Sequence, residues 1–231
     1  MKASRAGLVD GAIDSILDQI IEGTIADDEA LPPEAELASL LDVSRPTMRE
    51  AVRSLSDRGV LRVVHGRGTF VNPRDQWRDL PTVIRAMART TPKRELGIQL
   101  TQVRRMIEVG ACGLAALNRS EADVEEMRAL LDRYDEANAA GDAEAATQID
   151  IDFHAAILKA SGNPFLATIM NPLSEALYAS RYTTSSLADV RERAQGHHRR
   201  IVERIAAGDS AGAKEAMRDH MTQTHDDIAT L

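Results

Sequence analysis

Asp150 and His154 stand four residues apart in a stretch of helical composition, so one face of one helix presents both. Phe153 and Ile157 share that face, which therefore points inward, while Asp152 points away. His198 precedes Ile201 by three residues and Ile205 by seven, in phase with the apolar side of its helix; His197 is off that phase. His220 lies beside Met217 and Met221 on the inner side of the last helix. One carboxylate and three imidazoles aimed inward make an O/N donor set for a divalent metal. A buried Asp without partners would be costly. An octahedral ion on four such donors keeps about two positions for water or a ligand. Zn2+ is the first candidate, and Ni2+, Mn2+ and Fe2+ suit the same atoms. The same spacing fits unrelated helical histidines that hydrogen-bond locally, since there is no short His-x-x-His or Cys-x-x-Cys pair. A metal-dependent hydrolase that activates water on this set is the alternative chemistry.

A second set of residues is cationic. From Ser44 to Gly68 the charges are Arg45, Arg49, Arg53, Arg58, Arg62 and Arg67 against Glu50 and Asp57. The elements that carry them can be read in order. Leu37, Leu40 and Leu41 fall on one face of a short helix that opens at Pro33-Glu34. Asp42-Val43 breaks the run, and Ser44 can cap the next helix, with Pro46 in its first turn. Met48, Ala51, Val52 and Leu55 make its buried stripe, Arg49 and Arg53 lie on the opposite arc, and Gly59 ends it in the left-handed region. Val60–Val64 and Thr69–Val71 read as strands joined by His65-Gly66-Arg67-Gly68. This is the plan of a winged helix-turn-helix, whose second helix can enter a major groove. On that plan Ser44, Arg45, Thr47, Arg49 and Arg53 read or position the groove, and His65, Gly66 and Arg67 anchor the wing on duplex DNA.

The remaining chain supplies two bodies. Residues 1–7 read as a loose tail, followed by an amphipathic helix through Leu8, Ile13, Ile16, Leu17 and Ile20 that Gly23-Thr24 ends. Asn72-Pro73-Arg74 closes the first domain, 1–73. Residues 74–94 read as a linker anchored by Trp77 plus a first bundle helix over about 81–90. Residues 95–231 read as helical throughout, with segments near 95–118, 120–140, 143–161, 164–182, 187–207 and 210–229. Ala-Ala-Gly-Asp at 139–142 and again at 206–209 can end one helix on Gly and cap the next with Asp. The expected fold is mainly α: a winged helix-turn-helix and an all-α bundle of seven helices.

The formal net charge is −8, yet a basic face, not the total, neutralises phosphates. A merely solvated helix face is the bland alternative. Aromatics are only 3%, which disfavours single-strand binding by stacked bases. Cys112 is the only cysteine and reads as a small buried hydrophobe, so no intrachain disulfide can form. No apolar run approaches a membrane span and the N-terminus lacks a signal-peptide core, so a cytoplasmic protein is expected.

LPPEAELA, VSRPTMREAVRSLSDRGVL and HGRGTFV closely resemble the DNA-binding half of GntR-type bacterial transcription regulators, over about residues 8–73. Ala35 stands where that family usually has arginine, so one phosphate or base contact is missing or supplied elsewhere. VRRMIEVGACGLAA, DIDFHAAILKASGNP and HHRRIVERIAAGD…MRDH resemble the helical FCD effector domain of the FadR subfamily, over about 95–220. The resemblance implies that Asp150, His154, His198 and His220 hold a metal. It also implies that Arg104 faces the effector pocket, where Arg can grip a carboxylate in two-point fashion. The other reading of Arg104 is a helix-surface pair with Glu108. Asn163 could line the same pocket or cap a helix before Pro164. NPRDQWRDL resembles the linker of sugar-acid-responsive members. The implied function is a homodimeric, non-enzymatic repressor on a near-palindromic operator, released by a small carboxylic acid.

Overall fold

A computed structural model describes residues 5–230, which divide between Thr90 and Thr91 into two compact units. The first holds α1 (Arg5–Ile21), α2 (Glu34–Leu40), α3 (Arg45–Asp57), β1 (Leu61–Val64), β2 (Gly68–Val71) and α4 (Leu80–Thr90). Of the expected tail, residues 5–7 are helical, and 1–4 lie outside the described residues. Ile16, Leu17, Leu37, Met48, Ala51, Leu55 and Val60 are essentially inaccessible and form the core beneath α3. Leu40 departs from its predicted face: it is 70% exposed.

Ser44 caps α3, its Oγ accepting from the Thr47 N–H at 3.2 Å. Gly59 at φ +78° turns the chain out of α3, and a Cβ there would lie 2.7 Å from the Gln76 carbonyl oxygen, so the position admits only glycine without a shift. β1 and β2 pair antiparallel from Leu61↔Val71 to Val64↔Gly68, and Gly66 at φ +72° turns the tip. Residues 28–31 add to the outer edge of β2, with the Leu31 N–H donating to the Thr69 carbonyl at 2.8 Å. Trp77 anchors the chain leaving the wing, its Nε1 donating to the Asn72 carbonyl at 3.1 Å.

The placement of α4 differs from the sequence reading, which gave it to the bundle. It belongs to the first unit: Ala86 joins the core there, and Arg85 and Arg89 pair with Asp14 and Asp18 of α1 and with Glu22 just after it. Its apolar stripe could pack on either body, and pairs about 70 residues apart in sequence decide between them.

The second unit is all helical: α5 (Lys93–Asn118), α6 (Glu121–Ala140), α7 (Ala143–Ala160), α8 (Pro164–Met170), α9 (Ser174–Ser185), α10 (Ala188–Ala206) and α11 (Ser210–Ala229). Seven helices remain without α4 because the predicted 164–182 helix is two, broken by a 3-10 turn at Asn171–Leu173. Pro172 lacks the N–H that a continuous helix needs. The two Ala-Ala-Gly-Asp corners form as expected. Gly141 and Gly208 adopt φ +69° and +72°, and Asp142 and Asp209 accept from the Ala145 and Gly212 N–H groups at 2.9 Å.

Candidate DNA interface and candidate metal centre

The two faces of α3 are sharply different. Met48, Ala51, Val52 and Leu55 are buried, while Arg45, Arg49 and Arg53 are exposed. Among the described residues Arg49 reaches Glu34, at 3.4 Å and with 75% of its side chain accessible, a pair too exposed to hold it. His65, Gly66 and Arg67 are exposed at the hairpin tip. Arg67 lies over the Phe70 ring at 5.8 Å. Thr47 does not join this surface. It is 3% exposed, and its hydroxyl shares a 2.8 Å hydrogen bond with Ser44, so both side chains serve the start of the helix. Arg62, counted in the basic stretch, is spent on Asp28, Asn72 and the Val71 carbonyl.

In the second unit α7, α10 and α11 bring Asp150, His154, His198 and His220 together. One donor atom from each lies within 4.8 Å of the others, and all four residues are buried. His198 Nε2 is 3.2 Å and His154 Nε2 3.7 Å from Asp150 Oδ1. The His198 and His220 rings stand edge to face at 4.7 Å. Among the described residues, His220 Nδ1 has no hydrogen-bond partner despite burial, and His198 Nε2 makes no formed hydrogen bond even to the nearby Asp150 oxygen. Orphaned ring nitrogens beside a buried carboxylate fit a metal-ligand set, because an ion would satisfy them together.

The electrostatics keep the donors in metal-binding form. Burial pushes His198 down to about 4, against a partial pull from Asp150. Burial likewise holds His220 well below the usual imidazole range. Both are therefore neutral. Burial opposes ionisation of Asp150, but Arg181, His154 and His198 outweigh it and hold the carboxyl well below its ordinary value.

Two arginines complete the site. Arg104 is buried, not on the surface. Its Nε donates to Glu108 Oε1 at 2.8 Å, and its Nη2 lies 3.1 Å from His154 Nε2. Arg181 of α9 forms an ion pair with Asp150, and its Nε is buried without an acceptor. Sequence reasoning missed Arg181. The signal was there, since it follows Leu173 and Leu177 at steps of four, but drawing one helix through Pro172 hid the phase. Arg104, Arg181, Asp150 and His220 line one narrow cleft of about 30 Å3, with Tyr134, Thr184, Ser185 and Thr224 also on its wall. Asn163 is elsewhere: its Oδ1 accepts from the Phe165 N–H and caps α8.

Residues 8–71 match the family described as bacterial regulatory proteins, gntR family, and residues 99–223 match the FCD domain. The chain belongs to the GntR family of transcription regulators. Within that family it is 31% identical to the HTH-type transcriptional regulator LutR of Bacillus subtilis, over 90% of this chain and 94% of that one. It is 29% identical to the galactonate operon transcriptional repressor of Escherichia coli, over 87% and 79%. The solved Streptococcus agalactiae GntR is similar, at 27% identity with a TM-score of 0.54 over 94% of this chain and 99% of that one. GntR membership makes the first unit a DNA-binding domain and the second an effector domain. The relatives are regulators, which leaves the hydrolase alternative without support. No described helix is long and apolar enough to cross a membrane.

Proposed function

We propose that this GntR regulator is a homodimeric repressor that leaves a near-palindromic operator when a small hydroxycarboxylate enters the cleft of its FCD domain. The carrying observation is the convergence of Asp150 and three buried histidines, with Arg104 and Arg181 beside them at one cleft. The donor set suits Zn2+ first, with Ni2+, Mn2+ or Fe2+ as alternatives. A bound ion would supply open coordination positions for a carboxylate oxygen. Arg104 and Arg181 would donate to the same anion, and Tyr134 and Ser185 would meet hydroxyls along its chain. The galactonate operon repressor, whose name carries a sugar acid, supports that class. Asn163 takes no part, being committed to its cap.

On DNA, Arg45, Arg49 and Arg53 would enter the major groove, and His65, Gly66 and Arg67 would rest on the backbone beside it. Ser44 and Thr47 would act indirectly, by fixing the start of α3. The ligand lowers operator affinity only through unequal affinity for two states of the dimer.

A melting-temperature screen of small carboxylic acids, with and without chelator, tests the reading. Sugar acids should stabilise the protein only when metal is present. Equal stabilisation after chelation would reject the metal-supported pocket. His198→Ala with His220→Ala should lose metal by elemental analysis and keep DNA binding.

A further inference from the structure

A metal-binding imidazole works only if its other nitrogen is held, and the group placed to hold His154 is Glu108 of α5. Glu108 is 1% exposed. Its Oε2 lies 2.6 Å from His154 Nδ1, a close contact that is not a formed hydrogen bond in this structure. Its Oε1 accepts from Arg104 Nε at 2.8 Å. The opposite edge of the ring settles the tautomer. His154 Nε2 faces Arg104 Nη2 at 3.1 Å, and a guanidinium can only donate. Nε2 therefore offers its one lone pair, which a metal ion would take in place of the Arg104 N–H, and the proton sits on Nδ1, beside the carboxylate. Nε2 is also the nitrogen that faces Asp150.

We infer that Glu108 is a positioning residue: it locks His154 as the Nδ1–H tautomer with Nε2 directed at the metal, and with its other oxygen it sets the guanidinium of Arg104 against the cleft. The inference rests on the metal reading above. It gives one carboxylate two tasks, so the metal ligand and the anion-binding arginine share a support. Arg104 and Glu108 are one helical turn apart on α5, whereas His154 comes from α7, so Glu108 also ties the two helices at this point.

Glu108→Gln keeps the shape but replaces one acceptor oxygen with a donating NH2, so an N–H faces either Arg104 Nε or His154 Nδ1 where an acceptor stood. Competition of the full-length protein against a chromophoric chelator should give Zn2+ and Co2+ affinities about 10–100-fold weaker than the parent's. The Co2+ absorption bands should shift, while melting in excess chelator stays close to that of the parent. Unchanged metal affinity in the folded variant would overturn the inference. A charge-balance role is separated by adding Arg104→Gln: neutrality is restored, and recovery of affinity would overturn positioning. If Glu108→Gln does not fold, long-range nitrogen–proton NMR of the Zn2+-loaded parent decides. A protonated Nδ1 with metal on Nε2 supports the inference, and metal on Nδ1 overturns it. A parent that takes up no metal refutes the metal reading itself, and this inference with it.

Discussion

Burial sets the protonation of His198, and that has a consequence for stability. An unfolded imidazole titrates near about 6.5, whereas the buried ring titrates at about 4. Between those values the unfolded chain binds a proton that the folded chain refuses. Stability therefore falls as pH drops through that window and is restored as pH rises. Asp150 adds a second loss at lower pH, when its depressed carboxyl is finally protonated. In chelator, His198→Gln should flatten the dependence of melting temperature on pH in the upper window. A slope equal to the parent's would contradict burial of a neutral ring. On the DNA side, Arg49 is exposed and weakly held. Arg49→Ala should weaken operator binding by about 1–3 kcal/mol in a gel shift if it reads bases. Equal affinity would remove it from the interface. Among residues, Asp150 and His154 were legible in sequence because four-residue spacing fixes a shared helix face. The burial of Thr47 was not, because Ser44 holds its hydroxyl as well as its N–H.

At the scale of elements, α3 is held by one stripe. Leu55 is fully buried beneath it. Leu55→Ala should destabilise the first unit by about 2–5 kcal/mol in urea unfolding, by transfer and cavity terms together. A loss well under that range would mean that α3 is supported elsewhere. The winged helix-turn-helix could be read from the sequence because cap, stripe, glycine stop and tip glycine are all local signals. The break between α8 and α9 was local too, at Pro172, but an apolar run on both sides masked it. The home of α4 was not legible, since Arg85 and Arg89 find partners on α1 far away in sequence.

For the whole molecule, the reading requires two copies. α5 exposes Val103, Met106, Leu114 and Leu117, and α8 exposes Phe165 and Ile169, with Met106 80% and Phe165 72% accessible. Exposed apolar side chains in this number mark an association site, which the proposed homodimer would use. Met106→Glu with Leu117→Glu should turn the dimer into a monomer by sedimentation and weaken operator binding. A dimer that survives both charges would move the interface elsewhere.

The central claim is that a basic helix and hairpin grip duplex DNA and that a metal-supported cleft in a separate helical domain governs the grip. Its most direct test is operator affinity, by fluorescence anisotropy on a DNA site that the protein itself selects from a random pool, titrated with the sugar acids that raise its melting temperature. The account predicts that acid weakens binding by about 100-fold, or about 2.7 kcal/mol of coupling, in the metal-loaded parent and not in the His198→Ala, His220→Ala variant. Equal weakening in both proteins, or none in either, would contradict it.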